Sequence, residues 1–138
     1  MIPVLILTHG NLASELLQAA QTIDPNLKGQ AAAMSLPWDV DSDEASRSLK
    51  KQLRELDQGE GALVLTDMFG GTPSNISLSF HDEHRVEVVT GLNLPMLIKL
   101  ATLGEEKSLE ELATFIKDYG KRNISVASEL LPDREGGS

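Results

Sequence analysis

Two short stretches of this chain set reactive side chains close to glycine. Residues 8–10 read Thr-His-Gly, and residues 66–74 read Thr-Asp-Met-Phe-Gly-Gly-Thr-Pro-Ser. An imidazole next to a carboxylate has a defined chemical use. The carboxylate accepts the Nδ1 proton and fixes the tautomer, which leaves Nε2 as a nucleophile or base near neutral pH. His9 and Asp67 are distant in sequence, so this chemistry depends on a fold that brings the two stretches together.

The second stretch carries its own local physics. Ala62 to Thr66 reads as a short buried strand, and Gly70 and Gly71 break it by allowing backbone angles that other residues avoid. Thr72 is expected as the N-cap of the next helix and Pro73 as its first residue. Asp67, two glycines and a helix N-terminus therefore share one loop, which suits an anion. The hydroxyls of Thr66, Thr72 and Ser74 add donors. No Lys or Arg occurs between Arg54 and Arg85, so a phosphate bound here would be held by N–H and O–H groups. The GxxxxGK[ST] loop expected of a site that takes phosphate from a nucleoside triphosphate is absent.

The elements that must position these residues alternate along the chain. Ile2 to Thr8 is a β-rich apolar run, followed by Leu12, Leu16, Leu17 and Ala20 at helical spacing. Gln30 to Leu36 reads as a second strand. Asp41 with Glu44 opens a helix through Leu49, Leu53 and Leu56 to a stop at Gly59. The third strand runs to Asp67, and its helix from Pro73 to about Phe80. Arg85 to Thr90 is the fourth strand, Pro95 starts a helix ending near Gly104, and Ser108 with Glu111 caps a helix to Gly120. Ile124 and Val126 alternate like a short last strand, and 132–138 reads as a flexible tail.

Four strands, each followed by a helix, imply an α/β fold: a doubly wound, mostly parallel sheet of order 2-1-3-4 with helices on both faces. Residues 1–131 are expected to form one domain. In that order strands 1 and 3 are neighbours, and ligands bind where their carboxyl ends meet. His9 and Asp67 then lie side by side, each followed by glycine and a helix start.

Composition limits the alternatives. The 138 residues are 41% hydrophobic without a long unbroken apolar run, which indicates a soluble globular chain with no transmembrane span. There is no cysteine and no basic leader before the first strand, so a cytoplasmic location is expected and thiolate metal sites are excluded. A formal charge of −9 argues against nucleic acid and anionic membranes. His-Asp-Glu-His at 81–84 has the composition of a metal site but reads as a solvated turn, and no metal or cofactor is expected. Trp38, after strand 2, reads as rim packing or as a border of the crevice or of a partner surface. Met68 and Phe69, apolar residues in the active-site loop, are candidates for contacting a partner.

"THGNLA" and "TDMFGGTPSN" resemble the IIA domain of the mannose-type enzyme II complexes of the bacterial phosphoenolpyruvate-dependent sugar phosphotransferase system. The resemblance extends to about Val126. It implies that His9 takes a phosphoryl group from phospho-HPr and passes it to a IIB domain, with contact to the membrane only through a IIC/IID complex. It also implies that Asp67 orients His9, that Thr66, Gly70, Gly71, Thr72 and Ser74 surround the phosphoryl oxygens, and that two chains form a homodimer, in some members by exchanging the last strand. The family's loop carries Trp and Ser where this chain has Phe69 and Thr72. A regulatory phosphoprotein of the same fold, without transport partners, is the alternative. Other classes fit less well: strand 1 lacks the acidic cluster of a receiver, the first loop lacks a flavin phosphate cradle, and no Arg precedes His9 as in histidine phosphatases.

Overall fold

The structure is a computed structural model and describes residues 2–27, 31–81, 85–103 and 107–132. Strands β1 (Val4–His9), β2 (Ala31–Leu36), β3 (Ala62–Thr66) and β4 (Val86–Thr90) form one sheet of order β2-β1-β3-β4. Every pairing is parallel. Helices α1 (Leu12–Ile23), α2 (Ser42–Leu56), α3 (Thr72–Leu78), α4 (Leu94–Thr102) and α5 (Leu109–Arg122) connect and follow the strands.

Strand side chains alternate between faces, and both faces are covered, so each central strand must be apolar throughout. Val4 and Ile6 of β1, with Leu63 and Leu65 of β3, pack under Ala13 and Ala20 of α1, Leu97 of α4 and Ile116 of α5. Leu5, Leu7 and Val64 face the other way, onto Leu49 and Leu53 of α2 and Ile76 and Phe80 at α3 and its end. No helix among the described residues is long and apolar enough to cross a membrane.

Helix ends follow the capping chemistry of the sequence with small shifts. Asp41 accepts a hydrogen bond from Glu44 N–H at the start of α2, and Ser108 with Glu111 forms a complete capping box on α5. Helix α2 stops at Leu56, and Asp57 Oδ1 accepts from both Gly59 and Gly61 N–H. Helix α4 begins at Leu94 because Asn93 caps it, which leaves Pro95 in its first turn. Its expected end at Gly104 lies outside the described residues. Helix α5 runs through Gly120 to Arg122. Gly120 is buried, and a Cβ there would collide with Met96 Cε, so this glycine admits a neighbouring side chain instead of ending the helix.

The short strand expected at Ile124–Val126 does not form within this chain. Those residues have no sheet partner in it and lead into a 3-10 turn at Ala127–Leu130. They pair with neither edge of the sheet, β2 or β4. Of the tail, only Pro132 is among the described residues.

One buried side chain ties the sheet to the start of α1. Thr8 Oγ1 accepts from Ala13 N–H at 2.7 Å and donates to His9 O at 3.2 Å. Asn11, in the N-cap position, makes no side-chain cap bond, so Thr8 caps the helix from inside. Replacing Thr8 by the near-isosteric Val strands a buried N–H. Thr8→Val is expected to lower stability by about 1–3 kcal/mol, read as a reduced urea midpoint. An unchanged midpoint would show that the internal cap is dispensable.

Candidate active site

The parallel register brings the ends of β1 and β3 together, with Leu7 opposite Thr66. One residue beyond β3, Asp67 reaches across to the neighbouring strand. Its Oδ2 accepts from His9 Nδ1 at 2.7 Å and from His9 backbone N–H at 3.1 Å, while Oδ1 accepts from Met68 N–H at 3.0 Å. An ionised carboxylate only accepts, so the shared proton belongs to Nδ1, and in the neutral ring the lone pair lies on Nε2. The side chains are 18% and 14% exposed, so the pair is neither sealed nor freely solvated.

The electrostatics of Asp67 follow from this geometry. Burial raises its pKa, but hydrogen bonds from the His9 ring and backbone, the His9 charge, and Met68 N–H together outweigh burial and hold it below 3.8. The carboxylate is therefore ionised wherever the imidazole is a functional base.

Glycines on either side make room for the ring. A Cβ on Gly71 would stand 2.7 Å from His9 Cε1 and 3.1 Å from Nε2. The Gly71 backbone thus closes on the Cε1–Nε2 edge of the imidazole, an approach that a side chain at this position would block. Gly10, at φ +54°, leaves space for Trp38, whose Nε1 would lie 3.1 Å from a Cβ there. The Trp38 indole stacks on the His9 ring with centroids 4.8 Å apart and planes inclined by 13°. Sequence patterning left Trp38 between rim packing, the crevice and a partner surface, and the structure sets it against the histidine.

The loop candidates separate by orientation. Gly71, not Thr72, is the N-cap of α3, so Thr72 and Pro73 are its first two residues. A glycine cap has no side chain, so the first turn of α3 has no side-chain cap, and Ser74 instead ties down the residues before it. Ser74 Oγ accepts from Gly70 N–H at 2.9 Å and donates to Gly71 O at 3.2 Å. Ser74 and Gly70 thereby shape the loop with the groups expected to be free. Thr66 is fully buried, and its Oγ1 has no hydrogen-bond partner among the described residues. Thr72 is half-buried, and its hydroxyl makes no hydrogen bond among the described residues. Met68 and Phe69 are exposed on the loop that carries Asp67.

The second cluster, 81–84, lies mostly outside the described residues. Of 81–84, only His81 is among the described residues, and its Nε2 lies 3.1 Å from Glu87 Oε1. No group of three or more His, Cys, Asp or Glu positioned for a metal occurs among the described residues.

This sheet and the histidine at its switch point belong to a known class. The family described as PTS system fructose IIA component, EIIA-man, matches residues 3–117. The chain belongs to this family of mannose-type IIA domains of the sugar phosphotransferase system. It is 34% identical over 80 residues to the PTS system fructose-specific EIIA component of Bacillus subtilis, covering 57% of this chain and 55% of that protein. It is 31% identical over 130 residues to the PTS system mannose-specific EIIAB component of Escherichia coli, covering 91% of this chain and 39% of that protein. The chain thus spans only part of the length of these relatives. Among solved structures, the mannose/sorbose specific IIA subunit from Enterococcus faecalis superposes with a TM-score of 0.84 at 31% identity, over 97% of this chain and 99% of that one.

The depressed carboxyl of Asp67 gives a pH signature. A group whose folded pKa lies below its unfolded value contributes stability that is fully present above the unfolded pKa and is lost as pH falls through the folded one. Urea titrations at about pH 5 and about pH 2.5 should therefore show a larger loss of stability in the wild type than in Asp67→Asn. Equal losses would mean that the His9 contacts do not bias the carboxyl.

Proposed function

We propose that this chain is a phosphohistidine carrier that accepts a phosphoryl group on His9 Nε2 from phospho-HPr and delivers it to a IIB domain. The observation that carries this reading is the His9–Asp67 contact, which commits Nδ1 and leaves Nε2 as the available nitrogen. Family membership supports the reaction class, and the names of the relatives support a role in sugar uptake.

In the transfer, the Nε2 lone pair attacks phosphorus. The nitrogen–phosphorus bond of the donor breaks, and its electron pair stays with the donor nitrogen. The ring keeps its Nδ1–H on Asp67, whose negative charge offsets the positive charge that develops on the imidazole as the new bond forms. Delivery to IIB is the same step reversed, with the IIB nucleophile attacking and Nε2 leaving. Thr72 and the Gly71 backbone are the groups assigned to the phosphoryl oxygens.

What the loop lacks matters equally. A carrier must release its cargo, and a fixed guanidinium or ammonium at the phosphoryl would oppose release. Neutral donors steady the group without trapping it. Met68 and Phe69 are assigned to the protein partners. Exposed Ile124, Val126, Leu130 and Leu131, following α5, support association of two copies through this segment. A cytoplasmic location follows from partners of this kind.

Purified phospho-HPr in excess EDTA is expected to phosphorylate the chain on His9, and ATP with Mg²⁺ is not. His9→Ala should remove the acid-labile label detected by mass spectrometry. Labelling by ATP, or on Asp67, would replace this reading with nucleotide or receiver chemistry.

A further inference from the structure

Trp38 is the only tryptophan in the chain and is 80% exposed. Its one ring contact among the described residues is with His9. Several backbone features build that contact. Gly10 N–H donates to Leu36 O at 2.8 Å, which ties the residue after His9 to the end of β2. Val40 N–H then donates to Pro37 O at 3.1 Å, closing a tight turn that carries Trp38. Gly10 supplies the space, since any side chain there would meet the indole edge.

The other contacts of His9 leave one freedom that the indole removes. The Asp67 hydrogen bond fixes the distance of Nδ1 from Oδ2, and the Gly71 backbone limits the Cε1–Nε2 edge. A single distance restrains one combination of the two side-chain torsions and leaves soft the other, which tilts the ring plane. The Nε2 lone pair lies in the ring plane, so tilt swings it off the line to an attacking or leaving phosphorus. A flat aromatic surface against the ring, here inclined by 13°, sets that plane. Transfer between nitrogens depends steeply on such alignment.

We propose that Trp38 is a positioning residue for His9, its indole holding the imidazole in the plane from which Nε2 exchanges the phosphoryl group. This rests on the carrier reading above. It adds a residue of this chain that neither the paired motifs nor the loop chemistry contains.

An exposed indole beside a site that also carries exposed Met68 and Phe69 has the character of a protein-docking hot spot, so the test uses a donor with no docking surface. Phosphoramidate offers a phosphoryl group on a single small nitrogen. The rate of His9 phosphorylation by phosphoramidate is measured in wild type, Trp38→Ala and Trp38→Phe, together with kcat and KM toward phospho-HPr. Proton NMR of the His9 ring reports the stack through the ring-current shift of its Cδ2 and Cε1 protons. Trp38→Ala is expected to lose the upfield shift, to slow with phosphoramidate by about tenfold, and to lose kcat toward phospho-HPr with little change in KM. Trp38→Phe should recover most of each. Equal phosphoramidate rates in wild type and Trp38→Ala, with KM raised toward phospho-HPr, would overturn the proposal and make Trp38 a docking residue. A wild type without the upfield shift would overturn it by removing the stack. If the wild type shows the shift yet takes phosphoryl from neither donor, the carrier reading itself fails, and the positioning role with it.

Discussion

One carboxylate oxygen joins the two halves of the site. Asp67 Oδ2 receives both the backbone N–H and the Nδ1–H of His9, so it holds the histidine by its main chain and by its ring at once. This is possible only because β1 and β3 are adjacent and parallel, which brings their carboxyl ends out at the same level. Any change of register would carry the ring away from the acid. The apolar runs of β1 and β3, buried on both faces, are therefore as much a part of the chemistry as the imidazole.

Around that contact the chain places backbone where most sites place side chains. Gly71 approaches the Cε1–Nε2 edge of the ring, Gly10 clears the path of the indole, and Ser74 folds the loop back on itself. Thr8 anchors the residue before His9 to the first turn of α1. The result is a histidine fixed by several short contacts in a crevice with no fixed cation among the described residues that line it. Under the proposed carrier reading, such a site would pass a phosphoryl group on in preference to keeping it.

Much of this was legible in the sequence, for identifiable reasons. Strand order follows from alternating elements and crossover handedness, and with it the meeting of His9 and Asp67. Capping residues Asp41 and Ser108 announced α2 and α5 because their signal is local. The readings that shifted depended on direction, not on type. Thr66 is a hydroxyl beside the acid, yet it is the last residue of a strand buried on both faces, and that continuous apolar run was the available signal for its burial. Thr72 is the better capping residue by chemistry, but the glycine before it has the extended backbone of the cap position, which moves the helix start by one. Trp38 sits in a turn with no period to read, so its contact with His9 emerges only from three dimensions. The alternation at Ile124 and Val126 marked apolar residues correctly, but they pair with neither open edge of the sheet, and alternation alone does not make a strand.

The proton between His9 and Asp67 decides which nitrogen is free to react. A long-range proton–nitrogen correlation spectrum of the chain labelled with nitrogen-15 histidine, recorded where the His9 ring is neutral, reads its tautomer directly. The prediction is a single species with the proton on Nδ1 and a bare Nε2. A ring protonated on Nε2, or the mixture of tautomers of an unattached imidazole, would contradict the claim that Asp67 prepares Nε2 for the phosphoryl group.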